Sequence, residues 1–346
     1  MDNSSQNIRQ ASLQDITNFL ISNGEKAFRA KQIWQWIWQR GVTDFEEMTN
    51  LSRTTRELLR QNWYFDCLEP VHIQTATDGT TKTAWKLYDG EIIESVLIPG
   101  NQKFTVCVSS QVGCKLGCKF CATGTLGFKR NLTYGEIFNQ VTAAKMAAEA
   151  QGFPLSNIVF MGMGEPMLNY DNVLAAIERI TAEDGLAMSP YRITVSTAGI
   201  PDKIRQLADD GVRFNLAVSL HAAKENVRTS LMPINKAYSL KEVADSLKYF
   251  VEKTGTRPTF EYLLLKDIND SLEDAKALAL YCRQFPIKIN LIEYNNVEGS
   301  GFQHSPDKKR DEFVKYLENC NMVVNIRRSK GKDIDAACGQ LAAKEV

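Results

Sequence analysis

The sequence predicts an α/β protein: an incomplete TIM-like barrel of six strand–helix units, preceded by a small helical module and a β-hairpin extension. Three observations carry that expectation. From residue 104 onward, short apolar runs alternate with longer segments of helical period. Residues 70–97 instead alternate apolar with polar side chains between Asp-Gly turns. Residues 11–63 carry helical stripes alone. The expected divisions are therefore 1–65, a helical accessory domain; 66–100, the hairpin extension; and 101–346, the barrel with a C-terminal loop.

In the first segment, Leu13, Ile16, Phe19 and Leu20 form one stripe, Phe28, Ile33, Trp34, Ile37 and Trp38 a second, and Thr55, Leu58, Leu59 and Trp63 a third. Arg29, Lys31, Arg40, Arg53, Arg56 and Arg60 decorate it. They form either a solvated helix face or, beside these aromatics, a phosphate-contacting surface. The second segment reads as strands at 71–75, 83–87 and 92–97, with Asp78-Gly79 and Asp89-Gly90 at the turns. Glu94 is an acid in an otherwise apolar strand there.

In the third segment the expected strands are Phe104–Val108, Asn157–Met161, Arg192–Ser196, Arg213–Leu220, Thr259–Leu265 and Lys288–Ile292. Helices are expected at Tyr134–Ala150, Asn172–Ala182, Asp202–Ala208, Leu240–Lys253, Leu272–Arg283 and Pro306–Asn319. Such alternation implies parallel strands covered by helices, with function at the strands' C-terminal ends. A further strand is expected at Val323–Ile326.

Bulk properties exclude some classes. The 346 residues are 44% hydrophobic and 24% charged, an ordinary globular composition. No run of about 18 apolar residues exists, so no membrane span is expected. The start of the chain, Met1 to Gln6, lacks the basic-then-apolar pattern of a secretory signal. Eight cysteines, three of them in one loop, fit a reducing cytoplasm. With 41 basic and 41 acidic residues, overall charge gives no support to nucleic-acid binding, so an RNA substrate would need local patches.

The chemistry is expected at the strand ends. Cys114, Cys118 and Cys121 fall in one short loop, at spacings suited to one metal centre rather than to disulfides. Iron–sulfur cubanes usually have four cysteines, so three suggest a cluster with one iron open to a small molecule. A zinc site with a distant fourth ligand, or three unrelated thiols, are the alternatives. The second strand ends in Gly162-Met163-Gly164-Glu165-Pro166, where glycine permits close backbone approach and Glu165 offers an acceptor for an ammonium. Ser196, Ser219-Leu220-His221 and Asn295 follow at later strand ends. Each could contact a nucleoside or equally be a strand-end cap or a structural residue. Cys338 lies in a small-residue loop behind Arg327, Arg328, Lys330 and Lys332, where cations favour a thiolate. Cys107, by itself, reads as a small buried hydrophobe. Cys67, Cys282 and Cys320 are assigned to packing.

The cysteine loop with Phe120 resembles the Cys-x3-Cys-x-aromatic-Cys motif of radical S-adenosylmethionine (SAM) enzymes, and Gly164-Glu165-Pro166 their SAM-amino motif. Taken with Glu94-Ser95-Val96-Leu97-Ile98-Pro99, Ser219-Leu220-His221 and Asp333-Ile334-Asp335-Ala336-Ala337-Cys338-Gly339-Gln340-Leu341, nearly the whole chain resembles the RlmN/Cfr family of radical SAM RNA methyltransferases. Leu291-Ile292-Glu293-Tyr294-Asn295-Asn296 departs from the Pro-Trp-Asn or Pro-Val-Asn of many relatives, so Asn295 is carried over by position.

The resemblance implies a [4Fe–4S] cluster on Cys114, Cys118 and Cys121, and two SAM molecules per turnover. It implies SAM contacts from Gly164, Glu165, Ser196, Ser219, Leu220, His221 and Asn295. Cys338 would take a methyl group from one SAM, and a radical from the second would activate it for addition to adenine. Glu94 would remove the ring proton, and Cys107 would attack Cys338, forming a transient disulfide that frees the product. One branch of the family methylates C2 of an adenine in 23S rRNA and of the adenine 3′ of the anticodon in tRNAs. The other branch methylates C8 of the same ribosomal adenine. A cytoplasmic monomer, an RNA-binding N-terminal module and an electron donor such as flavodoxin are also implied. Two further readings remain: a glycyl-radical activase, and a non-catalytic iron–sulfur protein that binds RNA or senses redox state.

Overall fold

A computed structural model describes residues 6–342. The reading of Met1–Ser5 lies outside the described residues. The first unit is closed by a short parallel pair, β1 (Gln6–Asn7) with β2 (Trp63–Tyr64). Between them run α1 (Leu13–Ser22), α2 (Arg29–Trp38) and α3 (Arg53–Asn62). Ser12 and Ser52 cap α1 and α3 by accepting from backbone N–H groups of the first turn. The apolar stripes point inward, with Ile16, Leu20, Ile33, Ile37 and Leu59 fully buried.

Next come β3 (Glu69–Thr75), β4 (Thr81–Lys86), β5 (Ile92–Gly100) and β6 (Lys103–Cys107), paired antiparallel in sequence. The cysteine loop lies between β7 (Gln111–Gly113) and β8 (Phe128–Asn131), with α4 (Ala122–Thr125) inside that span. Helices and strands then alternate: α5 (Tyr134–Ala150), β9 (Leu155–Phe160), α6 (Tyr170–Thr181), β10 (Ile193–Thr197), α7 (Pro201–Asp209) and β11 (Asn215–Ser219). The series continues with α8 (Glu225–Leu231), α9 (Leu240–Thr254), β12 (Thr259–Leu264), α10 (Leu272–Cys282), β13 (Lys288–Glu293), α11 (Asp307–Asn319) and β14 (Val323–Arg327). Capping boxes start α5, α9 and α10, and Gly255 ends α9 in the left-handed region.

One ten-stranded sheet joins the second and third segments, in the order β14-β13-β12-β11-β10-β9-β6-β5-β4-β3. Adjacent strands from β6 to β14 pair parallel, as the alternation predicts. Two features refine the expectation. β14 is a seventh parallel strand, and the hairpin strands continue the barrel sheet on the far side of β6. The barrel is therefore open, with β3 and β14 at its two edges. Residues after β14 bridge the gap: Gly331 N–H donates to Asp78 at 3.1 Å, and Thr77 N–H donates to Asp333 at 2.9 Å.

The N-terminal unit docks on α5, which is why α5 is buried on almost every side. Arg9 is the centre of that contact. It is fully buried, lies over the rings of Trp38, Phe65 and Phe138, and donates to Asn139 and to the Val42 carbonyl. Of the six cations read as a possible phosphate surface, four are committed within the unit. Arg29 pairs with Glu25, Arg53 with Glu57, and Arg56 and Arg60 with Glu46. Lys31 and Arg40 are exposed and enter no ion pair among the described residues, and Arg40 lies 4.1 Å over Trp36.

Candidate active site

The parallel strand ends and the two loops meet at a pair of adjoining cavities. The first is partly open to solvent and is lined by Cys114, Cys118, Cys121, Gly164, Glu165 and Cys338 among others. Local geometry explains the loop. Gly113 has φ +73°, and a Cβ there would meet the Gly127 carbonyl at 1.9 Å. That close approach lets Cys114 N–H donate to Gly127 O at 2.7 Å and turns the loop inward. Burial pushes the Cys114 thiol up to about 11 and raises Cys118 and Cys121 as well. Buried neutral thiols crowded together favour a metal, because ligation removes the protons that burial retains. Among the described residues no three such groups converge on a single-ion site. Three thiols lining one cavity, with a fourth position left open, suit an iron–sulfur cluster that binds a small molecule.

Glu165 sits opposite, fully surrounded by protein. Its Oε1 accepts from Met167 N–H at 3.1 Å and its Oε2 from Ala198 N–H at 2.7 Å. Burial still pushes its pKa up, against those bonds. A desolvated carboxylate on a cavity wall fits an ammonium ligand. Gly164 brings it there: φ is +102°, and a Cβ would lie 2.6 Å from Gln111 Cβ. Gln111 in turn accepts from Glu165 N–H at 2.9 Å. Gly164→Ala should therefore displace this turn, costing about 1–3 kcal/mol of strain. SAM affinity measured by equilibrium dialysis is expected to fall at least about tenfold, with iron content unchanged.

Ser196, Ser219 and His221 also line the first cavity. His221 Nδ1 accepts from Leu263 N–H at 3.0 Å, its ring meets Phe120 edge-on at 4.6 Å, and burial holds its pKa down to about 3. It is a neutral residue that shapes the wall. Leu220 and Asn295 are not in the lining of either cavity. Leu220 contributes backbone bonds, whereas Asn295 Oδ1 is buried with no hydrogen-bond partner among the described residues.

The second cavity, about 880 Å³, is lined by Cys107, Arg327, Arg328, Lys330 and Cys338 among others. Cys338 thus stands in the wall between the two. Its loop is docked on α4: Ala122 N–H donates to Gly339 O at 2.7 Å and Thr123 Oγ1 to Leu341 O at 2.6 Å. The Cys338 side chain is solvent-accessible, yet protein surrounds it on most sides. That burial raises its pKa, and Arg327 pulls the other way. Cys107 is buried and pushed up to about 12, chiefly by desolvation and then by Cys338, while Arg327 opposes. All eight cysteines are free thiols, so a Cys107–Cys338 disulfide is not a standing feature of the fold. Glu94 lines neither cavity. Its buried carboxylate lies behind the C-terminal loop, 3.3 Å from Lys82 Nζ, and accepts from Ala342 N–H at 2.9 Å.

Sequence reasoning missed Glu261 and Arg327 as a pair. Glu261 lines the first cavity, Arg327 the second, and Arg327 Nη1 bonds Glu261 Oε2 at 3.2 Å. The available signal was an acid inside the apolar run Phe260–Leu265, the same signal that singled out Glu94.

This barrel, its three-thiol loop and its carboxylate-bearing turn define a radical SAM enzyme. Residues 108–279 match the Radical SAM superfamily, and residues 6–64 match the ribosomal RNA large subunit methyltransferase N-terminal domain. A crystal structure of a radical SAM methyltransferase from Sphaerobacter thermophilus superposes with a TM-score of 0.94 at 38% identity, covering 98% of this chain and 100% of that one. The probable dual-specificity RNA methyltransferase RlmN of Flavobacterium johnsoniae is 48% identical, covering 98% of this chain and 97% of its own. The dual-specificity RNA methyltransferase RlmN of Oleidesulfovibrio alaskensis is 44% identical, covering 98% and 96%. The chain belongs to the RlmN family of radical SAM RNA methyltransferases. Its cofactors are a [4Fe–4S] cluster and SAM. Membership sets aside the glycyl-radical activase and the non-catalytic iron–sulfur protein.

Proposed function

We propose that this enzyme methylates C2 of an adenine in 23S rRNA and of the adenine 3′ of the anticodon in tRNAs, through a methylated Cys338. One observation carries the reading: Cys338 is shared by a thiol-lined cavity on one side and a cavity with a cationic rim, containing Cys107, on the other. Adenine C2 is too weak a nucleophile for direct displacement at the SAM methyl, so a protein sulfur must carry the carbon. When bound, the cluster and SAM supply an electrophilic methyl group and a hydrogen-abstracting carbon radical.

The chain's own residues do the remainder. Cys114, Cys118 and Cys121 hold the cluster. Gly164, Glu165, Ser196, Ser219 and His221 line the SAM half of the site, with Leu220 and Asn295 behind its wall. Cys338 presents its sulfur to that half to accept the methyl, and to the second cavity to deliver it. Glu94 takes the C2 proton while the base-centred adduct radical gives up one electron, which returns to the oxidised cluster; because its carboxylate is tied to Ala342 N–H, access to the base requires the tail there to yield. Cys107 then attacks the Cys338 sulfur. A sulfur–sulfur bond forms, the carbon–sulfur bond breaks with its electron pair on carbon, and that carbon takes a proton.

We assign residues 1–65 to RNA binding, 66–100 to the hairpin extension and 101–346 to the catalytic barrel. The RNA-facing cations are Lys31 and Arg40, the two of those six that enter no ion pair among the described residues, with Arg328 and Lys330 at the second cavity. Lys31→Ala and Arg40→Ala are each expected to lower the salt slope of RNA affinity by about 1. SAM cleavage in the absence of RNA should persist; an unchanged slope removes these residues from the interface. The enzyme acts as a cytoplasmic monomer reduced by a small electron carrier such as flavodoxin. No helix among the described residues is long and apolar enough to cross a membrane.

The deciding experiment is a nucleoside digest of rRNA and tRNA modified in vitro. We expect 2-methyladenosine from both. 8-Methyladenosine would transfer the enzyme to the C8 branch, and SAM cleavage without any methyladenosine would reject methyl transfer to adenine.

A further inference from the structure

Among the described residues, one buried cation beside the first cavity forms no direct ion pair. Arg228, on α8, is fully buried. Its fork is spent on neutral acceptors: Leu220 O at 3.2 Å from Nε, Ala198 O at 2.6 Å and Ser219 O at 3.4 Å from Nη2, and Asn235 Oδ1 at 2.6 Å from Nη1. The nearest carboxylate to take part stands one residue further out, where Asn235 Nδ2 donates to Glu225 Oε2 at 2.7 Å. Taking an ion out of water costs several kcal/mol, which neutral carbonyls only partly offset. Such a charge calls for a buried anion.

The surroundings name it. α8 is tied to the cysteine loop, because Lys119 N–H donates to Leu231 O at 3.0 Å. Leu231, Met232 and Cys118 share one apolar cluster. Ala198 and Ser219, whose carbonyls accept from Arg228, line the first cavity. Its three carbonyl partners are the ends of β10 and β11, immediately beside Ser196, Ser219 and the Ala198 N–H that holds Glu165.

We propose that Arg228 is the internal counter-cation of the iron–sulfur cluster, favouring its reduced state while its fork holds the SAM-binding strand ends in register. A fixed positive charge stabilises the more negative redox state, so removing it makes the cluster harder to reduce. The inference rests on Cys114, Cys118 and Cys121 being the cluster ligands. Iron content and absorbance test that assignment separately from the potential.

The test is a redox titration of the full-length, anaerobically reconstituted protein, poised with dithionite and mediators and read by electron paramagnetic resonance. For Arg228→Gln the ratio of reduced to oxidised cluster at fixed ambient potential is expected to fall at least about tenfold, a midpoint lower by about 59 mV. Arg228→Lys keeps the charge and should hold the wild-type midpoint. Both lose the fork, so both should bind SAM more weakly. If Arg228→Gln retains no cluster, Glu225→Gln with Asn235→Asp decides. That pair moves the carboxylate into contact with Arg228 without removing the guanidinium, and should lower the midpoint likewise. An unchanged midpoint in fully loaded Arg228→Gln, or failing that in the double variant, overturns the proposal. So does an equal fall in Arg228→Gln and Arg228→Lys, which would reduce Arg228 to a structural support.

Discussion

Cys107→Ala protein is expected to accumulate covalently joined to its RNA substrate. Cys107 and Cys338 line the same cavity, and Cys107 lies at the end of β6, within the rigid sheet. In the proposed sequence Cys338 delivers carbon to adenine, and Cys107 alone is placed to break the resulting carbon–sulfur link. Without it, methyl transfer to Cys338 and addition to the base proceed and the reaction stops. Denaturing gels should show one protein–RNA band per enzyme, sensitive to nuclease and resistant to thiol reductants. Cys338→Ala should give the opposite phenotype: a loaded cluster, no adduct, no S-methyl peptide, and turnover lower by about 10⁶, the order found when a covalent nucleophile is removed. A Cys107 that serves only packing predicts modest instability, normal methylated product and no band. That pattern would remove Cys107 from the mechanism, and full turnover in Cys338→Ala would remove the mechanism itself.

The second large effect is expected at Cys118. It is one of three thiols available to the cluster, it is half-buried, and its loop is braced by Leu231 below and Gly124 beside it. Cys118→Ala leaves two thiols. Iron content and the cluster's visible absorbance should fall to background, and 5′-deoxyadenosine formation with them. The fold should survive, because the continuous core of strands β9 to β13 and helices α5 to α10 does not depend on this loop. Far-ultraviolet circular dichroism should therefore match the wild type. Full iron with undiminished SAM cleavage would sink the ligand assignment.

The barrel was legible because its strands are apolar runs and its helices keep a 3.6-residue period over several turns. α5 was placed at Tyr134–Ala150 to the residue, and its capping box, Thr133 with Glu136, is itself a sequence signal. The cysteine loop and the Ala-Ala-Cys-Gly-Gln segment were legible for another reason: their chemistry is local, carried by residues close in sequence. What escaped notice depends on distant partners. α8 has seven residues, too few to show a period, so Arg228 went unremarked. The Arg53–Glu57 pair could have been read from its spacing, but the capture of both Arg56 and Arg60 by Glu46 needs the folded unit. Glu94 was singled out by its apolar strand, yet only the structure shows its carboxylate engaged with Lys82 and the C-terminal tail.

The open barrel gives that tail a second meaning. In a closed barrel a substrate enters over the top, and a bulky folded RNA must present its base from above. Here the flank between β14 and β3 is shut by a belt rather than by a strand. Its buckles are side chains gripping backbone: Asp78 on Gly331, Asp333 on Thr77, Lys82 on the Asp335 carbonyl and Glu94 on Ala342. Each grip joins a side chain to backbone, so none of the four belongs to the strand-to-strand ladder. The same belt carries Cys338, so the fastening of the flank and the placement of the thiol shared by the two cavities depend on one segment.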